Sequence, residues 1–132
     1  MIFALVAAVM ASAAHGQSSG SAADKAAARL LAATKQFANF AAVCDPMMPK
    51  AFQRTVAILE DKLGPLWTDD VRKLVLSQPN ASDVKAQIAE FKGGVASGRY
   101  EVVDIRGACE DRLEIAAAEL GFAIDAVNFI AQ

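Results

Sequence analysis

The chain has 132 residues, of which 55% are hydrophobic and 21% are charged, and this content supports one packed domain rather than a disordered chain. Thirteen Lys and Arg against fifteen Asp and Glu give a formal net charge of −2 with no basic stripe, so we expect no nucleic-acid binding. The 29 alanines favour helices. The composition therefore predicts an all-α fold, a small single-domain helical bundle of about four to five helices.

The first residues resemble a signal peptide. Residues 1–11 form an apolar run that is shorter than the roughly 20 residues of a membrane span. Small residues then allow cleavage after Ala13, Ala14 or Gly16, although no Lys or Arg precedes the apolar run. An N-terminal core helix or an uncleaved anchor is the alternative interpretation.

Export divides the chain into three parts. Residues 1–16 are the predicted signal peptide, residues 17–21 a small polar linker and residues 22–132 the helical domain. We therefore expect a periplasmic or secreted protein with no stable membrane span after processing.

The first two predicted helices have clear boundaries. A capping box at Ser21 opens the first helix, which ends before Pro46. Pro49 suits the first position of the second helix, which ends at Gly64. The apolar positions expected to face the core are Ala27, Leu30, Phe37, Ala41 and Cys44 in the first helix and Phe52, Val56, Leu59 and Leu63 in the second.

Two shorter helices are predicted next. Thr68 caps a helix that runs to Ser77, and Asn80 or Ser82 opens another that ends at Gly93. Both are short, so their stability depends on tertiary packing.

The last predicted helix runs from about Ala108 to Ile130, after a loop over residues 95–105. It is apolar over most of its circumference: Leu113, Ala117, Leu120, Ile124 and Val127 share one face, and Ile115, Phe122 and Phe129 share a neighbouring face. Such a helix is either surrounded by other helices or buried in an interface. We expect it to be the central helix of the bundle.

The two cysteines, Cys44 and Cys109, predict one disulfide bond. In a short exported chain an even number of cysteines most simply forms bridges, and this bridge would join the end of the first helix to the first turn of the last. Loop closure of this length contributes roughly 4 kcal/mol in the chain-entropy model. The alternative is a pair of buried thiols in a cytosolic protein.

The only histidine, His15, lies in the predicted signal peptide. The mature domain therefore lacks the imidazole that a Ser-His-Asp triad, a Cys-His pair or a His-ligated zinc site requires. The cysteines also lack the paired spacing of structural zinc sites. We accordingly expect no enzyme activity, no cofactor and no metal.

Four residues are candidates for binding. Arg99, Tyr100 and Arg106 lie in a polar segment before the last helix, and Arg and Tyr are favoured at interfaces. Trp67 lies on the connection between the second and third helices and is the fourth candidate. The competing interpretation is a solvated loop for the first three and burial over the bundle for the tryptophan.

Elimination leaves three classes of function. The first is an exported binding module that recognises another envelope or secreted protein as an adaptor, inhibitor or chaperone-like factor. The alternative is a carrier of a small apolar ligand or lipid in an inter-helix cavity, which the abundance of small side chains favours. A histidine-independent enzyme is the third class.

Overall fold

The computed structural model describes residues 21–132, and the predicted signal peptide and most of the predicted linker lie outside these residues. The described chain forms helices α1 (Ala22–Cys44), α2 (Ala51–Leu63), α3 (Asp69–Ser77), α4 (Ser82–Ala96) and α5 (Val102–Ala131), with short 3-10 helices at Gly64–Leu66 and Gln78–Asn80. Residues 21–132 contain no strand. The predicted all-α bundle is confirmed.

The predicted caps of α1 and α3 are present. The Oγ atom of Ser21 accepts the backbone N–H of Asp24 at 3.0 Å, and the Oγ1 atom of Thr68 accepts that of Val71 at 3.3 Å. Each hydroxyl satisfies a donor that has no partner within the first helical turn. These two starts were predictable because the capping signal is local in the sequence.

The predicted start of α2 at Pro49 is wrong by two residues. Lys50 has a left-handed backbone with φ of 70°, so the helix begins only at Ala51. The carboxylate of Asp45, which follows α1, accepts the N–H of Phe52 at 3.1 Å and so provides the cap that Lys50 does not.

The loop predicted for residues 95–105 is wrong at both ends. Helix α4 continues to Ala96, and α5 already begins at Val102. The Gly94 carbonyl accepts the N–H groups of Arg99 and Tyr100 at 2.8 and 3.0 Å, which closes the turn within a few residues. Cys109 is therefore the eighth residue of α5 rather than part of its first turn.

The central helix is α1, not α5 as predicted. Each of the other four helices packs against α1, and α5 packs chiefly along its length. Many of the side chains that α1 buries are small: they include Ala26, Ala27, Ala33, Ala38, Ala41 and Ala42. Small side chains let neighbouring helices approach closely, so α1 accepts neighbours on several sides.

The predicted disulfide joins Cys44 to Cys109, whose Cα atoms are 5.8 Å apart and 65 positions apart in sequence. Around it packs a hydrophobic cluster made of Ile105 with Met47, Met48, Phe91, Val95, Tyr100 and Leu113. The methionines fill this end of the bundle. A structural disulfide is typical of oxidising compartments, which indicates a protein outside the cytoplasm.

None of the helices in residues 21–132 combines the length and the hydropathy that a membrane span requires.

The disulfide should carry a measurable share of the stability. Replacing Cys109 with Ser should lower the melting temperature by roughly 10 °C or more, because a native bridge contributes about 2–5 kcal/mol in a small domain. Thermal unfolding followed by circular dichroism, with and without reductant, measures this change. Reductant should lower the melting temperature of the wild type and leave the variant unaffected; a wild type indifferent to reductant would contradict a structural bridge.

Candidate functional site

Two of the predicted binding residues, Arg99 and Tyr100, are bonded within the chain. The Tyr100 hydroxyl donates to a carboxylate oxygen of Glu90 at 3.1 Å, and Arg99 forms a salt bridge with the same oxygen at 3.2 Å. The guanidinium of Arg99 lies 5.1 Å from the centroid of the Tyr100 ring. These contacts hold the connection between α4 and α5 against α4.

The Tyr100 ring fills the space over Gly94. A Cβ atom at position 94 would overlap the ring, so glycine is required there for the two segments to approach. The ring also meets Phe91 edge to face, with 6.4 Å between centroids. Tyr100 is half-buried and thus belongs to the core around the disulfide as well as to the surface.

Arg106 and Trp67 occupy different places in the fold. The Nε atom of Arg106 donates to the backbone carbonyl of Met47 at 3.2 Å, which ties α5 to the connection after α1. Trp67 is half-buried against the largest hydrophobic cluster, whereas Tyr100 and Met47 pack in the disulfide cluster. The structure therefore groups Arg106 with Tyr100 and separates Trp67, and a binding role for these residues stays a prediction.

A groove of about 350 Å³ lies over the disulfide, between α1, α4 and α5. We call it the disulfide groove. The lower wall, as we call the apolar part of its lining, is the disulfide with Phe40, Val43, Phe91 and Ile105. The rim is the polar or exposed part of the lining, namely Asn39, Asp83, Gln87, Ala108 and Arg112. An apolar concavity with a few polar groups at its edge is the usual form of a small-ligand site. Sequence reasoning missed it because the walls come from three helices that are distant in sequence.

The rim of the disulfide groove is electrostatically uneven. The Asn39 amide nitrogen donates to Asp83 and to the side-chain oxygen of Gln78, both at 3.2 Å. On α5 the guanidinium of Arg112 lies 5.7 Å from the centroid of the Phe40 ring. The salt bridges found in residues 21–132 do not involve Arg112, which is an exposed lining residue of the groove.

An apolar stripe runs along the outer face of α5. It consists of Ile115, Phe122 and Phe129, which are 68%, 61% and 77% exposed. We call it the α5 stripe. Its members are seven residues apart, which places them on one side of the helix over about 21 Å. The sequence predicted this shared face, but the expectation that other helices surround it is wrong.

Carboxylates flank the α5 stripe. From Glu114 to its end, α5 carries three acids, Glu114, Glu119 and Asp125, and no Lys or Arg. Glu119 accepts a hydrogen bond from Arg29 of α1 at 2.8 Å, and this bond lowers the pKa of the Glu119 carboxyl. The same bond raises the pKa of Arg29. The stripe is therefore an apolar surface with an acidic border.

Within residues 21–132 no three His, Cys, Asp or Glu side chains are placed so as to hold a metal ion. Comparison with protein-family models, with curated proteins and with solved structures finds no match for this chain. We therefore infer function from the surfaces of the described residues.

The contact between Tyr100 and Gly94 gives a test of whether Tyr100 is structural. Replacing a helical glycine with alanine ordinarily stabilises a helix by about 0.5–1 kcal/mol. Gly94→Ala should instead lower the melting temperature, because the new Cβ displaces the Tyr100 ring. Thermal unfolding measures the change, and the near-ultraviolet circular dichroism of the tyrosine reports the displacement.

The adjacent Gly93 provides the control for this substitution. A Cβ atom at Gly93 would meet nothing within 4 Å, so Gly93→Ala should raise the melting temperature. Equal effects of the two substitutions would show that the ring does not depend on the glycine.

The pair formed by Arg29 and Glu119 predicts a pH effect. A lowered carboxyl pKa in the folded state contributes stability above the unfolded pKa, and that stability is lost as the pH falls through the folded value. An NMR titration should find Glu119 below the ordinary range for Glu, and Arg29→Gln should return it to that range. Lys25→Gln, also on the exposed side of α1, should leave the Glu119 pKa lowered. A Glu119 pKa that stays lowered in Arg29→Gln would refute Arg29 as the cause of the shift.

Proposed function

We propose that this chain is an exported binding module, periplasmic or secreted, which recognises a basic amphipathic helix of another envelope or secreted protein. The α5 stripe carries the proposal. Its three side chains expose on the order of 400 Å² of largely apolar surface, comparable with the largest patches found on monomeric proteins. Patches of this size commonly mark sites of protein interaction.

The spacing of the stripe favours a helical partner. A side chain every seven residues repeats after two helical turns, which is the periodicity with which two helices pack side by side. A partner helix laid along α5 would meet Ile115, Phe122 and Phe129 in succession. Recognition of an amphipathic helix by apolar anchors at helical spacing is a recurrent mode of binding.

The acidic border of the stripe favours a partner with positive charge. Glu114 and Asp125 are exposed and lie beside the stripe, and they form no salt bridge within residues 21–132. Glu114 and Asp125 are eleven residues apart, about three helical turns, so they lie on the same side of the stripe. Lys and Arg along the facing side of the partner would complement them and would speed association. The chemistry of the surface therefore favours a helix that is apolar on one face and basic along the edge of that face.

A second copy of this chain complements the surface less well. Two copies paired antiparallel about Phe122 would align two segments that carry carboxylates and no Lys or Arg. Like charges placed across an interface oppose association. The charge of the stripe's border therefore favours a different protein over a second copy of this chain.

The export part of the proposal rests on two features. The disulfide between Cys44 and Cys109 is typical of oxidising compartments, and the apolar run at residues 1–11 has the length of a signal peptide. An adaptor, an inhibitor and a chaperone-like factor would each use such a surface. The side chains of Arg99, Tyr100 and Arg106 already form hydrogen bonds within the chain. The α5 stripe, by contrast, is exposed and is therefore the better candidate for contact with a partner.

Binding of two model peptides tests the proposal. One is a helical peptide with a Leu stripe flanked by Lys, and the other has the same stripe flanked by Glu. Fluorescence anisotropy should show at least about tenfold tighter binding of the Lys peptide. Phe122→Ser should weaken that binding by about tenfold, a change of about 1.4 kcal/mol, because it removes the middle anchor.

Ile58→Ser is the matched control, because Ile58 is 41% exposed on α2 and lies outside the stripe. It should leave binding of the Lys peptide unchanged, and circular dichroism should show both variants folded. Equal affinity for the two peptides would contradict the proposed partner. A dimer seen by sedimentation and abolished by Phe122→Ser would assign the stripe to self-association and overturn the proposal.

A further inference from the structure

We propose that the disulfide groove binds a small amphipathic carboxylate, an organic acid of about eight to ten carbons in all. The acid group would meet Arg112 at the mouth of the groove, and the apolar body would lie over the disulfide. This site shares no residue with the α5 stripe and does not rest on the function proposed for the stripe.

The size of the groove suits such a molecule. Its volume of about 350 Å³ falls at the lower end of the range of small-ligand pockets. At about 30 Å³ per water-sized group, it holds roughly a dozen such groups, which fits a medium-chain acid and excludes a two-chain lipid.

The lower wall of the groove is apolar and fixed. Val43, Ile105 and the two cysteines are buried, while the rings of Phe40 and Phe91 are half-buried and form the sides. The disulfide joins the α1 wall directly to the α5 wall. A groove that is held open before binding loses little conformational entropy when a ligand enters.

Arg112 selects the charge of the ligand. It is the cationic residue among those that line the groove, and it is exposed above the Phe40 ring. A guanidinium presents parallel N–H donors that match the two oxygens of a carboxylate. Packing on an aromatic ring restricts the side chain, so less freedom is lost when it binds an anion.

Asp83 on the facing rim does not reverse this selection. One of its carboxylate oxygens already accepts the Asn39 amide, and the residue lies in the first turn of α4, where the helix dipole stabilises its charge. Arg112 forms no salt bridge within residues 21–132, so its N–H donors are available to a ligand. The groove therefore offers a guanidinium with available donors at Arg112 and a partly occupied acceptor at Asp83.

Titration with molecules of equal chain length tests the inference. Octanoate, octanol and octylammonium differ chiefly in the charge of the head group, and NMR spectra of the full domain report both affinity and position. Octanoate should bind at least tenfold more tightly than either analogue and should shift the signals of Arg112 Nε and of the Val43 and Ile105 methyl groups.

Two substitutions with matched controls locate the site. Arg112→Gln should weaken octanoate binding about tenfold and leave octanol binding unchanged, and Arg72→Gln on α3 should affect neither. Ala108→Trp should block the groove, because Ala108 is an exposed residue of its rim. Ala117→Trp adds the same side chain at an exposed position of α5 outside the groove and should leave binding intact.

The alternative results each overturn the inference. Equal binding of octanol would remove the role of the carboxylate, and tighter binding of octylammonium would make Asp83 the anchor. Binding that survives Ala108→Trp would place the ligand elsewhere, and no binding of any of the three would leave the groove without this function. Phe122→Ser should leave octanoate binding unchanged, so the groove and the stripe are tested separately.

Discussion

The packing of α5 on the alanine-rich side of α1 determines the rest of the structure. Alanines let the two helix axes approach, the disulfide fixes one end of the pair, and the hydrogen bond from Arg29 to Glu119 joins them farther along. Because α2, α3 and α4 pack around α1, they do not cover α5 from outside. The bundle therefore leaves one long face of α5 in solvent, and that face carries the α5 stripe.

Local chemistry decided which boundaries were predictable. Ser21 and Thr68 cap helices through contacts three residues away, so the sequence alone located those starts. The start of α5 at Val102 has no side-chain cap and contains β-branched residues of low helix propensity. Its helical form depends on tertiary contacts, since Ile105 packs in the cluster around the disulfide. Sequence reasoning treats such a segment as loop because the residues that stabilise it are distant in the chain.

The two proposed binding surfaces also differ in how far the sequence predicts them. The spacing of Ile115, Phe122 and Phe129 predicted a shared face, but periodicity does not say which face of an apolar helix is covered. Which face of α5 is covered depends on its packing against α1, and a single helix covers only one side of α5. The disulfide groove could not be predicted from spacing, because its walls come from three helices that are distant in sequence.

The two proposed surfaces meet on α5. Ala108, at the rim of the groove, lies seven residues before Ile115 and therefore on the same line of the helix as the α5 stripe. Arg112 lies between them, one turn from each along the helix. A helix bound along the stripe would end close to the mouth of the groove, beside Arg112, the proposed anchor of the carboxylate. Any effect of one occupant on the affinity for the other must then be reciprocal, because both affinities belong to one thermodynamic cycle.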